Sequence, residues 1–254
     1  MKHILFLIFV GAFLTGCQAS TLKMVKGENT KIYSKTNDPV YGKVHSFQFE
    51  SECGDLKRSG NGKKNFVGNW HDSDCGQNSV RSEIAEDVWE DNRPGEGQPK
   101  IAWYRWNVYL PEDFPIQDTG KLLLGQWHNG ECPHVSFTSR NQDRGKLYFE
   151  TMKTWQGDCK ETKRIHFTSI QELRGKWTEF VIYSEWGNQG KFQIYINGEQ
   201  RLDFEGPTLT KGKEFRNYLK VGIYQCCNAR HIPIKPASAM FTTPERSSKS
   251  FLPK

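Results

Sequence analysis

The stretch Lys191-Phe192-Gln193-Ile194-Tyr195-Ile196-Asn197-Gly198-Glu199-Gln200-Arg201-Leu202-Asp203-Phe204 decides the fold. Polar and apolar residues alternate through it, the period of a half-buried strand. Asn197-Gly198 interrupts that alternation with the dipeptide best able to adopt the positive φ angles of a two-residue hairpin, so the chain turns there and returns through Gln200 to Phe204. Strand signals continue outward in both directions. Ile101 to Leu110 stops at Pro111, and Lys121 to His128 stops at Asn129-Gly130. His134–Thr138, Lys146–Thr151, Arg164–Ser169, Trp177–Tyr183 and Tyr218–Gln225 complete the series. No amphipathic helix longer than two turns and no internal repeat interrupts it. Many short strands with turn residues between them predict an all-β fold, a two-sheet antiparallel sandwich of the jelly-roll, concanavalin-like kind.

The ends of the chain read differently. Met1-Lys2-His3 is a basic start, Ile4 to Leu14 an apolar run, and Leu14-Thr15-Gly16-Cys17 a lipobox. The run is too short to span a bilayer and reads as an export signal, with Cys17 as the lipidated first residue of the mature chain. Gln18 rather than Asp after the cysteine resembles the pattern of enterobacterial lipoproteins, which implies the outer membrane, on its periplasmic or outward-facing side. Residues 18–40 are polar and poorly patterned and read as a tether. A single domain is expected over 41–245 and a loose tail over 246–254.

Six cysteines remain beside Cys17, an even number that favours disulfides in an exported protein. Cys226 and Cys227 are expected to bond to different partners and so clamp a strand end. No CxxC pair suggests zinc. No cofactor is expected, and a structural calcium is left open. The formal charge of +6 points to an acidic polymer or an anionic surface rather than to nucleic acid. A monomer is expected, held to the membrane by its N-terminal lipid.

Three strands carry polar groups on one face. In Val80-Arg81-Ser82-Glu83-Ile84, Arg81 and Glu83 point the same way. Gln126 and His128 do so in Leu124-Gly125-Gln126-Trp127-His128. Tyr218, Lys220 and Tyr224 share a face, with Leu219, Val221 and Ile223 opposite. Gly222 leaves a bare patch where a ligand could approach the backbone. If the strands are adjacent, this set suits removal of a proton α to a carboxylate. Arg81, Gln126 and Lys220 can stabilise the negative charge that develops. His128 and Tyr224 can move protons, the tyrosine helped by a nearby cation because its ordinary pKa is near 10.

In the same order, Arg81-Ser-Glu-Ile84, Gln126-Trp-His128 and Tyr218-Leu-Lys-Val-Gly-Ile-Tyr224 resemble the three motifs of the jelly-roll alginate lyases, polysaccharide lyase family seven. The Gln-x-His pair and the Lys220 to Tyr224 spacing are also similar to the heparin lyase I and glucuronan lyase families. The resemblance implies a polysaccharide lyase that cleaves an acidic, uronate-containing polysaccharide by β-elimination. It implies His128 as base or neutral partner at C5, and Tyr224 as acid, serving also as base in a syn elimination. By the same resemblance Arg81 and Gln126 hold the uronate carboxylate, Lys220 stands beside the tyrosine, and Glu83 orients the arginine. The chain departs from the alginate pattern at Ala85, where a second arginine stands, at Trp127 in place of a β-branched residue, and at Gln225-Cys226 in place of Asn-Gln. These departures make a glucuronan or a glycosaminoglycan-like polymer as suitable as alginate.

Two other readings compete. A carbohydrate-binding protein on this fold would bind acidic glycan without cleaving it. A laminarinase-like hydrolase needs paired carboxylates across the scissile bond, and Glu83, Glu86 and Asp87 do not have that family's spacing. The histidines outside the motifs, His45, His71, His134, His166 and His231, read as structural or solvent-facing.

Overall fold

The computed structural model describes residues 19–26, 32–49, 80–87, 99–129, 132–155, 158–209, 217–226 and 234–253. The lipobox, Trp70, His71, Trp89 and Cys227 lie outside them. The described strands, in chain order, are β1 (Ser20–Thr21), β2 (Met24–Lys26), β3 (Ile32–Asp38), β4 (Gly42–Phe49), β5 (Val80–Glu86), β6 (Ile101–Tyr109), β7 (Lys121–His128) and β8 (Pro133–Arg140). They continue as β9 (Lys146–Trp155), β10 (Asp158–Ser169), β11 (Trp177–Glu185), β12 (Gly190–Ile196), β13 (Glu199–Gly206), β14 (Tyr218–Cys226), β15 (Ala237–Phe241) and β16 (Glu245–Ser247). One four-residue helix, α1 (Ile170–Leu173), is capped by the Ser169 hydroxyl, which accepts from the Glu172 N–H.

The strands form two antiparallel sheets. One is ordered β13-β12-β11-β6-β15-β4-β3, with β16 and β1 attached through β6. The other is ordered β10-β9-β8-β7-β14-β5-β2. The non-sequential neighbours β7-β14-β5 make this a jelly roll rather than a meander. The Asn197-Gly198 hairpin forms as expected, with both residues at positive φ.

The core lies between the sheets because one face of each strand is apolar. In β6, Ala102, Tyr104, Trp106 and Val108 are buried, and their neighbours are not. Phe192 and Ile194 face inward from β12, and Leu219, Val221 and Ile223 from β14. Trp127 is the hub of this core. It is fully buried and meets Tyr104, Phe137 and Phe192 edge-on at ring centroid distances of 5.3, 5.7 and 5.2 Å. Its large side chain fills the space between sheets, so the replacement of a β-branched residue at this position alters the core and not the polar face.

Three expectations are corrected. Residues 18–40 are not a free tether. Ser20–Thr21 pairs with β16, Met24–Lys26 with β5, and Ile32–Asp38 with β4. Their polarity is that of sheet-edge strands, where half the side chains face water. The tail begins later than expected, because Arg246 and Ser247 belong to β16 and Phe251 packs under the Arg105 guanidinium at 4.6 Å. Cys226 keeps its thiol and does not clamp the end of β14, whereas Cys132 is disulfide-bonded.

Candidate active site

β14 lies between β7 and β5, so all six site residues predicted within the domain come onto one face of three adjacent strands. Lys220 stands opposite Gln126 on one side and Ala85 on the other, Tyr218 opposite His128, and Tyr224 opposite Arg81. Neighbouring strands lie about 4.8 Å apart, so each pair is within side-chain reach. Alternation puts Leu219, Val221 and Ile223 into the core and leaves the polar set on the outer face.

Glycine is required at 222, for a reason other than ligand access. The residue has φ +140°, and a Cβ there would lie 2.3 Å from the Ser82 carbonyl oxygen and 2.7 Å from Glu83 Cα. The close approach is that of β5 itself. The pairing of β14 with β7 is also irregular between Val221 and Tyr224. Such an irregularity turns side chains away from strict alternation.

Glu83 and Gln126 are almost wholly buried, and the Gln126 Nε2 donates to Glu83 Oε1 at 2.8 Å. This partnership between β5 and β7 spans the intervening β14 and fixes the glutamine amide. A second N–H of that amide remains for an incoming acceptor. The Arg81 guanidinium lies 4.5 Å over the Tyr224 ring. Its charge also acts on His128, so one cation couples the two proton-transfer candidates. The Tyr218 hydroxyl and His128 Nδ1 are 3.4 Å apart, and Lys220 Nζ sits 5.5 Å over the Tyr218 ring. Burial, followed by the charges of Lys220, Arg81 and His134, pushes the His128 pKa down to about 3. The imidazole is therefore neutral near neutral pH and can accept a hydrogen bond or a proton.

Sequence reading placed Tyr218 on this face without a role, and the structure puts its hydroxyl against the histidine. It missed a second polar cluster on the same face. Continuing the row from Lys220 and Gln126 across β8, β9 and β10 gives Ser136, Glu150 and Arg164. Glu150 is completely buried, with Lys121 Nζ at 2.5 Å, Arg164 Nε at 3.0 Å and Arg140 Nη2 at 3.3 Å. Burial alone would raise its carboxyl pKa, but Lys121 and Arg140 outweigh burial and hold it below the usual range. Arg164 also covers the Tyr148 ring at 3.6 Å and pairs with Asp143. Glu150 and Arg164 meet only through strand order, which their spacing in sequence does not reveal. Among the described residues, no group of three or more His, Cys, Asp or Glu side chains is arranged to hold a metal ion.

Comparison with known proteins agrees with this architecture. An endo-β-1,4-glucuronan lyase from the fungus Trichoderma reesei superposes with a TM-score of 0.60 at 13% identity, over 93% of this chain and 92% of that one. The family 7 alginate lyase A1-II′, in complex with product, superposes with a TM-score of 0.52 at 16% identity, over 84% and 82% of the two chains. At these identities the likeness is one of fold. No curated protein matches by sequence. A family model described as polysaccharide lyase matches residues 16–243. That match spans most of the chain, including every strand that carries the polar site, and so the protein belongs to the polysaccharide lyase family.

Proposed function

We propose that this lyase cleaves an acidic, uronate-containing polysaccharide by β-elimination. The observation that carries the reading is the Arg81 guanidinium, which lies over the Tyr224 ring and acts electrostatically on His128. A uronate carboxylate entering here would meet Arg81 and the second N–H of Gln126. Loss of the C5 proton delocalises negative charge onto that carboxylate, and donors already in place stabilise it at little reorganisation cost. The O4–C4 bond then breaks, O4 takes a proton, and the products are a new reducing end and a C4–C5 unsaturated uronate.

A base is most effective when its pKa is near the working pH. His128 is far below that, which favours the imidazole as a neutral partner at C5. Tyr224, beside Arg81, then serves as base and acid in turn, a syn elimination. Lys220 adds positive charge next to it, and Glu83 fixes Gln126. Ala85 opposite Lys220 leaves room where a second arginine would stand, which favours a polymer other than alginate. The likeness to the Trichoderma glucuronan lyase makes glucuronan the first substrate to try.

Purified protein acting on glucuronan, alginate, heparin and hyaluronan should generate the ultraviolet absorbance of an unsaturated uronate with at least one of them. Tyr224→Phe and His128→Asn should each lower kcat on that polymer by about 100-fold or more, with the thermal midpoint unchanged. Full activity in both variants would refute the site. New reducing ends without absorbance would refute the elimination.

The lipobox supports export and acylation at Cys17, with the enzyme carried on the outer membrane. Incorporation of labelled palmitate into the wild type, and its loss in Cys17→Ser, checks this.

A further inference from the structure

The sheet opposite the polar site carries a cavity of about 690 Å³ on its outer face. Trp177 of β11 forms one wall. Its indole N–H donates to Asp38 Oδ2 at 3.1 Å, and its ring packs against Tyr41 at 4.9 Å and Tyr109 at 5.6 Å, both tilted to it. The ring is thus locked in one orientation while still partly exposed, and Tyr41 is 40% exposed. Around it stand Asn107, Lys43 and Glu179. The Asn107 carbonyl oxygen accepts from the Tyr41 hydroxyl at 3.4 Å, which leaves the amide nitrogen to donate. Lys43 and Glu179 form no ion pair among the described residues. Arg105 and Glu245 at the far wall neutralise each other at 2.9 Å. The lining therefore carries two cations and two carboxylates, with no net charge.

A pyranose ring has an apolar C–H face and a rim of hydroxyls. It matches a fixed aromatic plate surrounded by an amide, an ammonium and a carboxylate. A balanced lining does not concentrate a polyanion, in contrast to the Arg81 and Lys220 site. We propose that this cavity is a second saccharide-binding site, which takes neutral pyranose rings of a polysaccharide on the sheet opposite the cleavage site. The same face continues along β11 to a second aromatic group, in which Trp103 meets Tyr183 at 5.1 Å and Tyr195 at 6.2 Å. Trp177 and Tyr183 are six residues apart, about 20 Å of strand, so a chain lying along β11 would meet both plates. The site would hold the enzyme to a mixed or composite glycan while the other sheet cleaves the acidic portion.

The test is affinity electrophoresis of the folded protein in native gels containing hydroxyethyl cellulose, laminarin or galactomannan. At least one should retard the wild type. The apparent affinity should fall about tenfold, equivalent to about 1.4 kcal/mol, in both Trp177→Ala and the double variant Lys43→Ala/Asn107→Ala. Retardation of His128→Asn should be unchanged, and Trp177→Ala should retain full lyase activity on a soluble uronate polymer. If circular dichroism shows Trp177→Ala unfolded, the double variant decides alone. Absence of retardation by all three polymers, retardation that survives in the variants, or retardation lost in Arg81→Ala would overturn the proposal. Because the readout is binding to neutral polymers, it stands or falls separately from uronate elimination.

Discussion

The low pKa of His128 follows first from burial and then from three neighbours that no local stretch of sequence contains together. Lys220 and Arg81 come from the two strands beyond β7, and His134 from β8. The depression has a defined sign. The unfolded imidazole titrates near 6.5 and the folded one near 3, so below pH 6.5 the unfolded chain binds the extra proton. The stability this neutral histidine confers is complete above pH 6.5 and is lost as pH falls toward 3. His45, buried beside Tyr33 and pushed down to about 4 by desolvation and then by Lys35, acts in the same direction. We expect the histidine NMR titration of His128 to show no protonation at pH 5. In Arg81→Ala its midpoint should move upward, toward the ordinary value. A wild-type midpoint near 6.5 would contradict the buried, cation-flanked setting.

At the scale of the element, β14 carries the most consequence, because it is the strand through which β5 and β7 are related. Gly222→Ala would drive a methyl into the β5 backbone at a φ that side chains rarely adopt. The expected cost is about 2 kcal/mol or more, read as a lowered urea midpoint, with activity falling further than stability because Arg81 and Tyr224 are moved apart. An unchanged midpoint would mean that β5 gives way freely. The alternation of Tyr218, Lys220 and Tyr224 was legible in sequence because a strand has period two, and so was each of the other two polar faces. Their adjacency was not. It depends on β14 inserting between β5 and β7, about ninety residues from the nearer of them, and only the family motifs implied it. The same limit hid the Glu83–Gln126 bond and the Glu150 cluster, whose members lie on separate strands. It also concealed the role of Gly222, since sequence marks a missing side chain but not which backbone passes over it. Residues 18–40 read as a tether in sequence because the short, polar edge strands among them have little apolar periodicity to detect.

The whole molecule is closed by its N-terminal segment, which contributes to both sheets within a few residues. β1 pairs with β16 in one sheet and β2 with β5 in the other. Between them the Leu22 N–H donates to the Pro244 carbonyl, and Lys23 pairs with Asp87. Deleting residues 18–26 should therefore lower the thermal midpoint by several degrees and reduce lyase activity, because it bares the edge of the strand that holds Arg81. A truncated protein with wild-type melting and turnover would show the segment to be dispensable. The same stitching would limit how far an acylated form of the enzyme could stand from a bilayer. If Cys17 is acylated, only Gln18 and Ala19 separate it from β1, a span of about 10 Å at full extension. An enzyme so acylated would be held too close to sweep the surrounding medium, and polymer would have to reach the lipid surface before it was cut.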